Sequence, residues 1–408
     1  MVKALRELLT GWLRSPATPE QRPAMQVGGA GMRRGTATHP GDKLLGASPE
    51  ERLAAAQRAM RSRNSLALAA IASSGVKAMA TRSLSLNFGQ LRIPFIAEVP
   101  FAKARRSLYD TIVASELRGL GDAGRAAMKR IFLIEAERAP LDFIQCQELW
   151  LRSAQRDARK TAEANGFICA LADEQMRAYG LQLLIRKGPE VKGIKESGII
   201  EYRENGKPLR SLGERLWGAR RGFAYAVVEL TNGDTILTGT THLSPLPEYT
   251  ELRGRQFVAW KDIIATLVRE KQPTFTMVGA DVNTTDADGH LGDFFEGTGL
   301  ADAWAAGGAQ TREPDGTMHP DFRQYVGGTW DMVGKRIDIA AACSNSPDRA
   351  IAVIDHQTCL DDLYAVGDER HAVSDHIAIA TTYILGVKPS EPERSPSGIR
   401  RYRVRKGQ

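Results

Sequence analysis

Six short clusters of polar residues each adjoin an apolar, strand-like run. The last, Val373-Ser374-Asp375-His376, directly precedes the run that begins at Ile377. The other five are Ser85-Leu86-Asn87, Gln145-Cys146-Gln147-Glu148, Thr240-Thr241-His242-Leu243, Asp281-Val282-Asn283 and Arg336-Ile337-Asp338. Carboxylates and imidazoles at buried strand ends are costly unless they are paired or bound to metal. We therefore expect one shared polar site at the edge of a sheet core.

The residue types in these clusters indicate the chemistry. Carboxylates and amide oxygens suit a hard divalent cation, Mg²⁺ or Mn²⁺. A His with an Asp partner suits general-base activation of water, and Asn side chains with a second His suit stabilisation of a charged phosphoryl group. The chain has no Ser in an elbow motif. Together the clusters indicate metal-assisted hydrolysis of a phosphate ester, although each alone has an ordinary structural explanation.

The elements that must position these clusters alternate between strands and helices. The predicted strands are 82–88, 141–146, 167–171, 181–186, 199–203, 222–230, 235–243, 275–279, 335–343, 350–355 and 377–385. The predicted helices are 48–61, 126–138, 153–164, 250–270 and 291–299, with a loop at 305–330. Such alternation favours an α/β domain in which two packed sheets are covered by helices.

Charge divides the chain into three parts. Residues 1–80 carry 12 Lys/Arg against 5 Asp/Glu, and residues 387–408 carry 7 against 2, so 81–386 is mildly acidic. We assign the catalytic domain to 81–386, a basic and largely disordered extension to 1–80, and a basic disordered tail to 387–408. Basic ends favour an anionic membrane or nucleic acid, or are solvated without a specific partner. No apolar run is long enough to span a membrane.

Two features bear on the compartment. Residues 60–80 run from a basic stretch through a short apolar stretch to small residues, as in a secretory leader, so both a cytoplasmic and a secreted protein are consistent with the sequence. The four cysteines show no CxxC spacing, and Cys146 and Cys343 are expected to be buried thiols.

The order of the six clusters resembles the endonuclease/exonuclease/phosphatase superfamily, whose members have the deoxyribonuclease I-like fold. The resemblance covers about 81–386 and implies a four-layer α/β sandwich of two mostly antiparallel sheets flanked by helices. It also implies a metal-dependent phosphoric ester hydrolase.

The resemblance carries roles over position by position. Glu148 would be the main metal ligand, helped by Asp375, and Asn87 would contact the metal or its phosphate. His376 would deprotonate the attacking water and Asp338 would orient it. The remaining three residues would contact the phosphoryl group, the nucleophile or the leaving group; they are His242, Asp281 and Asn283.

Two departures from the family pattern stand in the same motifs. Ala280 precedes Asp281 where Gly is usual, and Ile339 follows Asp338 where many members have Tyr. Neither removes a group with a predicted catalytic role.

Several details are similar to the neutral sphingomyelinase-like branch. These are Asn87-Phe88-Gly89, Glu148-Leu149-Trp150, Thr241-His242-Leu243 and the strand around Arg221-Gly222-Phe223-Ala224-Tyr225. They favour a phosphodiesterase acting on a phospholipid headgroup. Phe223 and Tyr225 are expected to pack in the core and not to insert into lipid.

Three alternatives stay open. A DNA or RNA endonuclease would use the basic ends to grip phosphates. Against it, the core has no dense basic face in the sequence, and scattered basic residues could form one only in three dimensions. Those residues are Lys103, Arg105, Arg106, Arg156, Arg159, Lys160, Arg220 and Arg221. A phosphomonoesterase acting on an inositol phosphate is the second alternative, and a catalytically inactive binding module is the third.

Overall fold

A computed structural model describes most residues between 49 and 388. The described ranges are 49–74, 78–87, 142–150, 152–245, 247–285, 289–307, 336–359, 363–366, 369–372 and 376–388. They all belong to one compact unit that begins at Ala47. Several sequence predictions lie outside these ranges: the start of the chain, the connection 89–125, the helix 126–138, most of the loop 305–330, Asp375 and the C-terminal tail.

Two six-stranded sheets form the centre of this unit. The first contains, in spatial order, β13 (Arg349–Cys359), β16 (Ala378–Val387), β1 (Met79–Asn87), β2 (Phe143–Gln147), β4 (Gln182–Arg186) and β3 (Phe167–Cys169). The second contains β11 (Ala301–Asp302), β12 (Asp338–Ser344), β10 (Phe275–Asp281), β9 (Thr235–His242), β8 (Gly222–Leu230) and β5 (Val191–Glu201). Each sheet has one parallel pair, β1 with β2 and β9 with β10. The other pairs are antiparallel, as the resemblance implied.

The layers follow from the alternation of side chains along the strands. Phe143 of β2 and Met277 of β10 lie in the core between the two sheets. On the outer face of the second sheet lies α5 (Thr250–Lys271), which buries Trp260 there. On the outer face of the first sheet lies α2 (Arg152–Ala164), whose Ala162 packs with Leu84. This arrangement of helix, sheet, sheet and helix confirms the predicted four-layer sandwich.

A helix precedes the first strand and packs on the sandwich. This helix, α1, spans Pro49–Ser73 and ends twelve residues later than predicted. Ile71 packs with Ala350 and Ala352 of β13, and the side chain of Asn64 bonds to the backbone of Val353. The described part of 1–80 is therefore folded, and the helix predicted at 48–61 continues to Ser73; the expectation of disorder for the preceding residues lies outside the described ranges. The helix also runs through the leader-like stretch.

Short elements complete the described fold, and sequence periodicity missed most of them. They are α3 (Asp173–Tyr179), α4 (Leu212–Trp217), α6 (His290–Thr298), α7 (Ala303–Ala306), and the hairpins β6–β7 (Arg203–Glu204 with Lys207–Pro208) and β14–β15 (Leu363–Val366 with Glu369–Ala372). Of these only α6 was predicted, because the others are too short to display a hydrophobic period. No helix among the described residues is both long and apolar enough to cross a bilayer.

Candidate active site

Three predicted site residues are direct cross-strand neighbours at the ends of three adjacent strands. In the second sheet, β10 lies between β9 and β12, and its last residue, Asp281, pairs with His242 on one side and with Asp338 on the other. All three side chains are buried. The two-residue side-chain period of strands then places them on the same face.

The first sheet contributes the residues that meet this row. Asn87 at the end of β1 donates from Nδ2 to Oδ2 of Asp281 at 2.7 Å. His376, just before β16, has Nδ1 2.8 Å from Oδ2 of Asp338. Its Nε2 lies 3.4 Å from Nδ2 of Asn87 and 3.8 Å from Oδ2 of Asp281. The site therefore lies where the ends of strands from both sheets meet.

His242 extends the cluster toward the end of β2. Its Nε2 lies 3.4 Å from Oδ2 of Asp281 and 3.7 Å from Oε1 of Glu148. The Glu148 side chain is 14% exposed, whereas that of Asp281 is 1% exposed. Glu148 is thus the carboxylate of this pair with more access to solvent.

The backbone is unusual at two site positions. Glu148 has φ 52° and Asn283 has φ 49°, and both are left-handed conformations that residues other than glycine rarely adopt. Asn283 is held by two hydrogen bonds, from its N–H to Oδ1 of Asp281 (2.9 Å) and from Nδ2 to the carbonyl of Leu243 (3.0 Å). Strained backbone of this kind clusters at functional sites.

The pKa of the Asp281 carboxyl is raised above its ordinary value. Burial, together with the neighbouring Asp338, raises the pKa of this carboxyl to about 7. The nearby His376 and hydrogen bonds from Asn87 and from the backbone of Asn283 act in the opposite direction. A perturbed carboxyl in a cluster of this kind is typical of catalytic sites.

One group of donors in this cluster could hold a metal ion. Donor atoms of Asp281, Asp338 and His376 all lie within 4.8 Å of one another. The imidazole and the Asp338 carboxylate are also in contact with each other. Oε1 of Glu148 lies beside His242, and the amide of Asn87 adjoins Asp281. Carboxylate and amide oxygens are the hard ligands that divalent cations such as Mg²⁺ prefer.

A buried polar layer lies directly beneath the site, between the two sheets. Gln147 of β2 donates from Nε2 to Oγ1 of Thr240 at 2.7 Å and to Oγ of Ser85 at 3.1 Å. A side chain at Gly279 would collide with Gln145 and Ser85. Close approach of the sheets therefore requires glycine at 279, while Ala280, the departure from the family pattern, is fully buried without difficulty.

Sequence reasoning missed a second support, which holds the segment after His242. Glu214 accepts from Nε of Arg221 at 2.6 Å and from Oγ of Ser244 at 2.8 Å. Arg221 also donates to the carbonyl of His242 at 3.3 Å. Gln256 of α5 accepts from the backbone N–H of Ser244 at 2.9 Å. The Ser-x-x-Glu capping-box spacing of Ser211 and Glu214 was the sequence signal that could have found it.

The structure places all but one of the predicted site residues in this cluster. Those it brings together are Asn87, Glu148, His242, Asp281, Asn283, Asp338 and His376; Asp375 lies outside the described residues. Phe223 and Tyr225 are buried in the core, as predicted. Cys146 is buried and Cys343 half-buried, and both are free thiols.

The scattered basic residues of the core do not all face solvent. Arg221 is buried against Glu214, with 5% of its side chain exposed, because it neutralises that carboxylate in the core. Arg159 pairs with Asp173. The remaining described members, Arg156, Lys160 and Arg220, are exposed.

Several solved structures share the fold of this chain. An endonuclease/exonuclease/phosphatase family protein from Bacteroides thetaiotaomicron matches with TM-score 0.51 and 14% identity, over 76% of this chain and 99% of its own. The mannosyl-6-phosphatase of the same organism matches with TM-score 0.50 and 16% identity, over 74% and 98%. D. rerio TDP2 complexed with single strand DNA product gives the same four values. No protein-family model and no curated protein sequence matches the chain.

The chain therefore has the fold of the endonuclease/exonuclease/phosphatase superfamily. This confirms the fold that the order of the six motifs implied.

Proposed function

We propose that this protein is a metal-dependent phosphoric ester hydrolase in which His376 activates the attacking water. The observation that carries this proposal is the arrangement around the His376 imidazole. Nδ1 is held by Asp338 at 2.8 Å, while Nε2 faces Asn87 and Asp281. This is the arrangement of a general base oriented by a carboxylate.

The chain's own residues account for the proton transfer. An ionised carboxylate only accepts hydrogen bonds, so Nδ1 carries the proton and Nε2 keeps its lone pair. Nε2 takes a proton from water as the water oxygen bonds to phosphorus and the bond from phosphorus to the leaving oxygen breaks. His242, between Glu148 and Asp281, is placed to donate a hydrogen bond to a phosphoryl or leaving oxygen. Asp281 and Asn283 orient these groups.

Glu148 and Asn87 would hold the cation, with Asp375 as the further ligand that the sequence predicts. A bound Mg²⁺ or Mn²⁺ would neutralise charge that develops on the phosphoryl oxygens. Cation binding is testable without turnover. Calorimetric titration with Mn²⁺ should show binding that is at least tenfold weaker in Glu148→Gln, whereas unchanged binding would contradict the ligand assignment.

For the substrate, we propose the phosphodiester of a phospholipid headgroup. The motifs around Glu148, His242 and Arg221 that resemble the sphingomyelinase-like branch support it. The described core also supports it, because burial of Arg221 and pairing of Arg159 deplete the basic face that a nuclease would use.

Two other substrates are favoured by particular comparisons. The complex of D. rerio TDP2 with single strand DNA product favours a nuclease. The mannosyl-6-phosphatase favours a phosphomonoesterase. Both are alternatives that the following assay separates.

The experiment compares three classes of substrate in parallel: a lipid (sphingomyelin vesicles), DNA (single-stranded and plasmid) and a sugar phosphate. The full chain is assayed with Mg²⁺ and with EDTA. His376→Ala should abolish activity, and His290→Ala, a half-buried histidine on α6, should retain it. EDTA-sensitive hydrolysis of the lipid alone is expected. Cleavage of DNA alone, or of the sugar phosphate alone, would show that this compound and not the lipid is the substrate. Cleavage of none of them would contradict the proposal that the protein is a hydrolase.

A further inference from the structure

The helix α4 presents two leucines to solvent. Leu212 is 64% exposed and Leu216 is 61% exposed. They stand four residues apart and so lie on one face of the helix. Leucines exposed to this extent and adjacent on one helix face mark an interaction surface, whereas isolated ones are ordinary.

The exposed charges of this segment are mainly positive. Lys207, Arg215 and Arg220 are exposed within residues 207–220. Glu214 is buried against Arg221, and the exposed Glu204 lies opposite Lys207 in the β6–β7 hairpin. We call the exposed side chains of Lys207, Leu212, Arg215, Leu216 and Arg220 the α4 surface. It combines an apolar pair with net positive charge.

The helix is fixed so that these leucines stay outward. Ser211 caps its start by accepting from the backbone N–H of Glu214, whose side chain accepts in return from the N–H of Ser211. Gly218 ends it with φ 70°, a conformation that glycine adopts without strain. The buried ion pair anchors the opposite side of the helix to the core.

The same contacts connect the buried side of α4 to the segment that carries His242. Glu214 accepts from Ser244 and from Arg221, and Arg221 donates to the carbonyl of His242. One buried ion pair thus links the helix to the backbone of a predicted phosphate-binding residue.

We propose that the α4 surface docks the protein on an anionic phospholipid membrane, with the two leucines entering the interface and the basic residues contacting headgroups. An interfacial helix carries apolar residues on one side and Lys or Arg around them, which is the pattern here. A nucleic acid would contact the cations but would leave two leucines without a partner. The proposal deepens the proposed function, since it rests on a phospholipid substrate.

The test measures membrane binding with the full chain in EDTA, so that turnover plays no part. Vesicles of phosphatidylcholine with one third phosphatidylserine are sedimented with wild type, with Leu212→Asp/Leu216→Asp and with Leu66→Asp. Leu66, 68% exposed on α1, is the matched control. The double variant should bind at least about tenfold more weakly, because it loses apolar contact and gains like charge. Leu66→Asp should bind as wild type does.

Further arms keep the outcomes distinct. Leu212→Ala/Leu216→Ala and Lys207→Glu/Arg215→Glu should each also weaken binding, and thermal melting checks folding. Hydrolysis of a soluble phosphodiester should be unchanged in all of these variants. If wild type itself did not hydrolyse the soluble phosphodiester, that result would count against the proposed function and not against docking. Equal vesicle binding by wild type and both leucine variants would overturn the proposal. So would a parallel loss of single-stranded DNA binding in the leucine variants.

Discussion

The Nδ1 atom of His376 lies 2.8 Å from Oδ2 of Asp338, and the two residues come from different sheets. The contact fixes the imidazole ring and its tautomer at once, because the carboxylate can only accept. Nε2 is left facing the site. The activity of His376 as a base therefore depends on Asp338, which need not touch substrate. This dependence can be measured separately from substrate binding.

Replacing Asp338 with Asn should therefore lower kcat strongly while KM changes little. The amide can donate to Nδ1, which would move the ring proton to Nε2 and remove the lone pair that takes the water proton. We expect a loss of about 10²–10⁴ in kcat. His376→Ala should cost at least as much, and the double variant should be no worse than His376→Ala alone.

Steady-state kinetics on the best substrate would measure these losses. The control is Asp293→Asn, an exposed aspartate on α6, which should retain wild-type kinetics. If Asp338→Asn kept full kcat, the assignment of His376 as a base oriented by Asp338 would be wrong.

The buried pair of Glu214 and Arg221 gives a second prediction, on stability and its pH dependence. Burial alone would raise the pKa of Glu214, but Arg221 and hydrogen bonds from Ser211 and Ser244 bring it below its ordinary 4.5. The pair thus stabilises the fold above pH 4.5, and this contribution is lost as pH falls through the lower, folded-state pKa. Glu214→Gln should cost about 3–5 kcal/mol at pH 7, because it leaves Arg221 buried without a counter-charge.

Urea unfolding at pH 7 and at pH 3.5 would measure this. The deficit of Glu214→Gln should shrink at the lower pH, where wild type has lost part of this contribution. Glu214→Gln/Arg221→Met removes both charges and should be less destabilised than Glu214→Gln alone. A deficit independent of pH would show that the carboxylate charge is not what stabilises this region.

The sequence predicted elements best where the signals are local. The strand Gly222–Leu230 has the predicted bounds, and Asn232-Gly233 marks the turn after it. The bond from Asn87 to Asp281 joins residues 194 apart, and no local pattern contains it. Only the order of the motifs indicated that these two residues meet.

Two errors have physical causes. The prediction ended α1 at residue 61, whereas the helix continues to Ser73, because long-range packing of Ile71 on β13 holds its end. Arg221 stood in a basic dipeptide that suggested a surface, yet the carboxylate that neutralises it, Glu214, lies seven residues earlier. Burial of a charge depends on a partner that composition does not reveal.

A buried histidine away from the site gives a third prediction. Burial and, to a smaller extent, the positive charge of Arg336 together lower the pKa of His356 from 6.5 to about 3. The unfolded chain takes up this proton below pH 6.5 and the folded chain does not until about pH 3, so stability is present above 6.5 and falls as pH drops between the two values. The slope from this one group is about 1.4 kcal/mol per pH unit.

His356→Gln keeps a side chain that can bond to Thr381, the partner of Nδ1 at 2.9 Å, but it cannot take up the proton. Between pH 6 and 4 the stability advantage of wild type over this variant should decrease by about 1.4 kcal/mol for each unit of pH lost. Thermal or urea unfolding at closely spaced pH values would show it. Parallel stability curves would mean that His356 is protonated in the folded protein as it is in the unfolded chain.

The docking of α1 gives the last prediction. Asn64 donates from Nδ2 to the carbonyls of Ala306 (2.9 Å) and Val353 (3.0 Å), and its Oδ1 accepts from the N–H of Val353 (2.8 Å). Asn64→Ala leaves those backbone groups without this partner and should destabilise the protein by about 2–4 kcal/mol. Ser65→Ala is the matched control, since its hydroxyl is exposed and bonds only within α1, to the Arg61 carbonyl at 3.1 Å. Urea unfolding should separate the two variants, and an equal stability for both would show that α1 contributes little through Asn64 to the folded unit.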